Sequence, residues 1–356
     1  MRLPDFPWDL LAPHAAVARS QPAHADLSIG SPVDPTPPFI QRALAGAAAA
    51  PGYPVAAGQP AVREAVAGWL GRRVGVDASR WGIIPSIGSK EMVALLPTLL
   101  GLGEGDTVVI PELAYPTYAV GAAFAGCDIR VSDDPGAADG AALVWLNSPG
   151  NPTGAVAGEE RLRDAVAAAR HHGALIASDE CYIEFGWEVR PVSCLHPSVV
   201  GDDPTGVLAL HALSKRSNMA GYRFGTLVGD PEVVDRILQV RRHLGLLVPD
   251  PVQSAAAAAW ADDAHVDEQR ARYARRREVL RPALESGGFG IDHSEAGLYL
   301  WATRDEPCWD TVADLASRGV LVAPGDFYGE AGRRHVRIAL TATDADIALA
   351  AERVAR

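Results

Sequence analysis

Between about residue 83 and residue 230 short apolar runs alternate with helical segments, and this alternation constrains the fold more than any other feature of the chain. The runs are Thr107–Ile110, Asp128–Val131, 141–147, 174–179, 207–211 and 226–229, and helical spacing covers 89–101, 117–125 and 159–172. A strand that is apolar at successive positions has no face to offer water, so its sheet must be covered on both sides. Strands separated by helices pair in parallel through crossovers, because a hairpin needs only a tight turn. The expectation is an α/β fold with a mostly parallel, doubly wound sheet. Ligands in such sheets bind beyond the carboxyl ends of the strands, so the polar residues that follow each run are the place to look for chemistry.

The flanking regions have a different texture. Residues 1–38 are proline-rich and weakly periodic, which predicts an extended arm over a neighbouring surface; within it 27–32 reads as a short strand broken by Gly30. A turn-rich loop over 52–60 feeds a helix near 61–73. After 230, helices are expected near 231–245, 252–262, 265–287, 308–318 and 344–355, with strands near 298–303, 320–323 and 335–340. That pattern is an α+β lobe packed with the arm, and 356 residues are enough for two lobes.

The formal net charge of -12 argues against a nucleic-acid surface. No apolar stretch approaches a membrane span. The four cysteines are scattered without a CxxC pair, and the ten histidines form no metal pattern, so reduced thiols, a cytoplasmic location and no metal are expected.

Lysine is conspicuous by scarcity. Of 32 basic residues, Lys90 and Lys215 are the lysines, which leaves 30 arginines. A lysine after a strand is ordinarily a solvated loop residue. Where arginine has taken nearly every cationic position, a retained amine points to chemistry that guanidinium cannot perform, such as attack on a carbonyl. Four further polar clusters follow apolar runs or open helices. Gly88, Ser89 and Lys90 form a glycine turn at a helix start, which favours an anion. Asn151-Pro152-Thr153-Gly154 follows the run at 141–147, Asp179 ends the run at 174–179 with Tyr182 three residues on, and Arg223 follows Lys215. In the second lobe Arg337 alternates away from Val336 and Ile338. Each could be a plain cap or turn. Together they supply once each what a phosphorylated pyridine aldehyde needs: an amine, an anion cradle, an acid for the ring nitrogen and donors for the phenolic oxygen.

In that order and at those intervals the residues resemble the pyridoxal-5′-phosphate aminotransferases of classes I and II, fold type I, from the Gly30 segment to Arg337. The resemblance implies a large domain over 39–245, a small domain from the arm at 1–38 and from 246–356, and a homodimer with shared active sites. It makes Lys215 the Schiff-base lysine, Asp179 the partner of the pyridine nitrogen, and Asn151 and Tyr182 donors to the phenolic oxygen. Gly88, Ser89, Lys90, Ser214 and Arg223 would hold the phosphate, with Tyr53 reaching the phosphate of the partner subunit. Tyr115 would stack on the ring, and Gly30, Asn151 and Arg337 would hold the substrate α-carboxylate, Arg337 bidentately. Ala212 departs from the pattern, since the family usually has Ser or Gly there, often a phosphate donor.

The resemblance also implies transfer of an amino group between an amino acid and 2-oxoglutarate. The stretches 28–37 and 214–221 are most similar to actinobacterial N-succinyl-LL-2,6-diaminopimelate aminotransferases of lysine biosynthesis. Aspartate or aromatic aminotransferases of the same subgroup are the alternative, and a carbon–sulfur lyase would use the same cofactor residues. A cofactor-binding regulator would add a DNA-binding segment, for which neither length nor charge leaves room.

Overall fold

The computed structural model describes residues 7–355. Its strands are β1 (Ala25–Asp26), β2 (Gly82–Ser86), β3 (Thr107–Ile110), β4 (Asp128–Val131), β5 (Leu143–Asn147), β6 (Leu175–Asp179), β7 (Val207–Ala212), β8 (Gly225–Gly229), β9 (Gly290–Asp292), β10 (Tyr299–Thr303), β11 (Val320–Leu321), β12 (Ala323–Pro324) and β13 (Val336–Ala339). Seven of them form the large sheet in the order β2-β8-β7-β6-β5-β3-β4. The pairs from β7 through to β4 are parallel, whereas β8 runs antiparallel to both β7 and β2. The chain steps from β3 outward to β4 and then returns to the other side of β3 with β5, so the winding reverses at β3 and β5 and opens a crevice there.

The apolar runs are explained by what covers them. Along β7 every residue is buried, with Val207 and Ala209 packed into one core and Leu208 and Leu210 into another. Helices Pro60–Trp69, Glu159–His172 and Asp250–Ala261 cover the first face, and Ser89–Leu99, Thr117–Ala125 and Pro231–Leu244 the second. Each large aliphatic side chain so enclosed contributes roughly 1.5–3 kcal/mol. β4 departs from the two-sided expectation: its four residues are exposed, because it is the outermost strand beside β3.

A third core gathers Leu11, Ala15 and Ala18 from one end of the chain with Ile347, Ala350 and Val354 from the other, around β10 and β13. Here the arm differs from its expected extended course, since Ala12–Arg19 is helical after a tighter turn at Pro7–Leu11. Proline in the first turn and alanine through the body favour a helix, and Leu11, Ala15 and Ala18 recur at helical spacing on its buried side. Alanine is too weakly apolar for that stripe to stand out in the sequence. The strand expected over 27–32 lies earlier, at β1, which pairs in parallel with β11. Leu27 continues the ladder through Leu321 and Ala339, after which the Asp26 carboxylate accepts bonds from Ser28 and turns the chain. β2 was hidden by Pro85, which a sheet edge tolerates because one side of the strand has no ladder partner.

Candidate active site

The register of β5 and β6 sets Asn147 opposite Asp179 at the carboxyl edge of the sheet. Asn147 donates to the Asp179 carbonyl at 2.9 Å, and its side-chain oxygen accepts from the Asn151 N–H at 2.8 Å. The asparagine thereby fastens the Asn151 loop to the strand that carries the acid. Asp179 is buried, and its two oxygens are separately held: Tyr118 donates to Oδ2 at 3.1 Å and the Cys181 N–H to Oδ1 at 3.2 Å. Burial pushes this carboxyl above its ordinary range, against the pull of those two bonds. A cationic pyridinium against it would restore the balance toward the carboxylate. Tyr118 itself stacks on Trp145 at 4.8 Å, which fixes the phenol's aim.

Lys215 follows β7 in the single helical turn Leu213–Arg216. Its Nζ contacts the Gly30 carbonyl, and burial pulls its ammonium below the usual range, toward the neutral amine that can attack and accept protons. Gly30 is held by its neighbour, because a Cβ there would collide with the Tyr299 ring and hydroxyl. Tyr299 is central and gave no signal in its strand pattern. Its hydroxyl lies 2.9 Å from that of Tyr182, and its ring centroid lies 4.1 Å from the Arg337 guanidinium. Burial, with Tyr299 beside it, raises the Tyr182 phenol well above its ordinary range and keeps it a donor.

Arg337 projects from β13 and is buried. Nη1 donates to Asn151 Oδ1 at 2.9 Å and Nη2 to the Ser28 carbonyl at 2.7 Å, while Nε is buried without a partner. An arginine can only donate, so Asn151 presents its oxygen to Arg337 and has its amide N–H groups left for another acceptor.

The expected anion cradle is built from backbone. Gly88 has φ +75°, a left-handed value that opens the helix Ser89–Leu99, and a Cβ there would strike the Arg223 guanidinium. Glu91 accepts from the Ile87 N–H at 2.9 Å and is held by the fully buried Arg241 at 2.5 Å, so the turn before the helix is braced from below. Arg223 donates to the Ala220 carbonyl at 2.9 Å. Lys90 Nζ lies 5.9 Å from the centroid of the Tyr115 ring.

These residues enclose one cavity of about 410 Å³. Of the residues expected from sequence, Gly30, Ser89, Lys90, Tyr115, Asn151, Asp179, Tyr182, Ser214, Lys215, Arg223 and Arg337 line it, as does Ala212 with its methyl. Gly88 stands behind Arg223, and Tyr53 lies outside the cavity with 96% of its surface exposed. Sequence reasoning missed Asn147, Cys181, Trp8 and Tyr299 in the lining, and Tyr118 behind Asp179. Asn147 and Tyr118 could have been found, as a polar strand end and as the residue one helical turn beyond Tyr115. The donor set fits pyridoxal phosphate: Arg223 and a helix N-terminus for the phosphate, a buried acid, a buried amine, and Tyr115 as a ring face.

A buried amine, a buried acid and a buried guanidinium lining one cavity at the sheet edge suit an enzyme that handles amino acids through a carbonyl cofactor. The chain belongs to the aminotransferase class I and II family, whose model matches residues 24–354, and the family depends on pyridoxal phosphate. It is 54% identical over 355 residues to 4-dedimethylamino-4-oxo-anhydrotetracycline transaminase OxyQ of Streptomyces rimosus, covering 99% of each chain. It is 56% identical to the probable aminotransferase Rv1178 of Mycobacterium tuberculosis, covering 99% of this chain and 85% of that one. Among solved structures, a probable N-succinyldiaminopimelate aminotransferase from Thermus thermophilus superposes with a TM-score of 0.87 at 29% identity, over 98% of this chain and 99% of the other.

Proposed function

We propose that this aminotransferase moves the amino group of N-succinyl-LL-2,6-diaminopimelate to 2-oxoglutarate, in a homodimer. The observation that carries the transfer itself is the convergence of Lys215, Asp179 and Arg337 on one cavity. Pyridoxal phosphate, when bound, supplies an aldehyde that takes up the amino group and a ring that accepts the α-carbon's electron pair. Lys215 would anchor the cofactor's aldehyde, and its amine would move the α-proton as general base and acid. Asp179 would keep a proton on the ring nitrogen, and Tyr182 and Asn151 would donate to the phenolic oxygen. Arg337 offers Nε and its remaining Nη protons to the α-carboxylate, which sets the Cα–H toward Lys215. Lys90, Ser89, Ser214, Gly88 and Arg223 would hold the phosphate, and the exposed Tyr53 would complete the partner's site.

The choice of donor is supported by the motif at 214–221 and by the Thermus thermophilus neighbour. A second reading follows OxyQ, named for a 4-oxo-anhydrotetracycline, and is favoured by its higher identity over the whole chain. Steady-state rates with N-succinyl-LL-2,6-diaminopimelate, aspartate, an aromatic amino acid and an oxo-anhydrotetracycline with glutamate decide between them. The succinylated donor should have the highest kcat/KM; a higher value for any other substrate replaces it. Release of pyruvate and ammonia from a cysteine conjugate would instead mark a carbon–sulfur lyase.

A further inference from the structure

The two residues that follow Lys215 are both tied to one distant segment, 259–265. Arg216 is buried: its Nη1 donates to the Ala259 carbonyl at 2.7 Å, and its Nη2 to the Asp262 carbonyl and the Asp263 carboxylate, each at 3.2 Å. The Ser217 hydroxyl lies 2.8 Å from Nε2 of the buried His265. The other ring nitrogen, Nδ1, lies 2.6 Å from Asp262 Oδ1, which also accepts from the His265 N–H at 3.0 Å. The Phe39 ring packs on the imidazole in a T-shaped arrangement, with centroids 5.4 Å apart.

Serine, histidine and aspartate in such a chain are the arrangement of a nucleophilic triad. Ser217 is 1% exposed, which closes it to an acyl substrate, so the chain acts as a support. Its direction follows from counting donors. Burial pushes the Asp262 carboxyl up, yet the bonds from His265 outweigh it and leave the group below its ordinary range. An ionised carboxylate only accepts, so Nδ1 carries the proton and bare Nε2 accepts from the Ser217 hydroxyl. Burial holds His265 below its ordinary value, and Arg216 adds to this against the pull of Asp262 and Glu184, so near neutral pH the ring keeps that tautomer.

The turn Leu213–Arg216 is a single helical turn, closed by the Ser217 N–H on the Leu213 carbonyl at 3.0 Å. One turn is too short to hold itself, so the place of Lys215 depends on what fixes its neighbours. A shift of about 1 Å in a reacting group can cost about a hundredfold in rate.

We infer that His265 is a positioning residue for the transfer: as the link between Asp262 and Ser217 it holds the turn that carries Lys215, and so sets where the amine stands against the substrate's α-proton. The inference rests on the proposed role of Lys215 and extends it to residues that the substrate does not touch.

The test is single-turnover conversion of the bound cofactor by glutamate, and by glutamate deuterated at Cα, followed by absorbance. It compares the wild-type holoenzyme with Ser217→Ala, His265→Ala, their double variant, His265→Gln and Lys215→Ala. Ser217→Ala and His265→Ala should each lower the maximal rate by about tenfold and enlarge the isotope effect, while the apparent Kd for glutamate, set by Arg337, stays within about twofold. The double variant should lose no more than the slower single one, because both cut the same link. His265→Gln, whose amide oxygen accepts from Ser217, should recover most of the rate. Ser217→Ala removes a single oxygen and carries the test if His265→Ala does not fold. Wild-type rates in both single variants, or slower rates with an unchanged isotope effect, overturn the positioning role while an inert Lys215→Ala leaves the amine's role standing. A wild-type rate in Lys215→Ala overturns the proposed role of the amine and the inference with it.

Discussion

The Tyr118 hydroxyl donates to Asp179 Oδ2 at 3.1 Å from a fully buried position against Trp145. Its counterpart on Oδ1 is a backbone N–H, so the phenol is the part of this clamp that mutation can remove. Tyr118→Phe should raise the Asp179 pKa further, because burial already pushes it up and one opposing bond is lost. A bond to a charged group is worth about 1.5–3 kcal/mol, so kcat/KM should fall by roughly ten- to a hundredfold. The acidic limb of the kcat/KM profile should move to higher pH. An unmoved limb with normal activity would show that the phenol does not tune the acid.

Arg337 is placed by geometry that a lysine cannot copy. Both Nη groups are engaged, with Asn151 and Ser28, and the guanidinium plane is packed against Tyr299. Arg337→Lys should keep the charge but lose the fork, raising KM for glutamate and lowering kcat/KM by about a hundredfold. Thermal stability measured alongside should separate this from unfolding; a variant with normal KM would remove the arginine from carboxylate binding.

Glu180 and His211 lie on the far side of the sheet from the cavity, 3.7 Å apart and both buried. Burial lifts Glu180 to about 7 and drops His211 to about 3, so near neutral pH the contact is that of an imidazole with a carboxyl on the edge of ionising. Ser178, Ser193 and Cys194 face Glu180 and pull its pKa down, short of offsetting burial. A folded pKa raised from 4.5 to about 7 means that the folded state holds a proton the unfolded chain releases, so this group's contribution falls as pH rises through that window. The loss amounts to about 3 kcal/mol at 1.36 kcal/mol per unit. Glu180→Gln should therefore gain stability over the wild type progressively from pH 4.5 to 7, read as the difference in Tm across buffers. A difference that does not grow with pH contradicts the assignment. His211 has the opposite sign: its folded pKa is depressed, so its contribution is lost as pH falls from 6.5 toward about 3.

Arg241 is fully buried against Glu91, the residue that accepts from the Ile87 N–H beneath the anion cradle. Arg241→Ala strands a charge and should cost about 3–5 kcal/mol. Denaturant unfolding measures the loss. Retention of pyridoxal phosphate through gel filtration should drop with it, and unchanged stability would rule out the brace.

Much of this was legible in the chain because strand ends do two jobs at once. Asp179 and Lys215 had to follow apolar runs to be carried to the sheet edge, so periodicity that reveals the fold also points to the site. Arg337 was visible for a related reason, since it alternates with Val336 and Ile338 on a strand. What stayed hidden depends on contacts between segments far apart in sequence. Tyr299 reads as one more apolar strand residue until Gly30, Tyr182 and Arg337 surround it. The helix Ala12–Arg19 was obscured by alanine's weak pattern, and β2 by a proline that only an edge strand permits.

The central claim is that the Lys215 amine carries the transfer. Lys215→Ala, loaded with pyridoxal phosphate and mixed with glutamate and the oxo form of the proposed donor, measures it directly. The account predicts no amino transfer above background and loss of the visible absorbance band of the bound cofactor, with the fold intact by circular dichroism. Turnover near that of the wild type would contradict it.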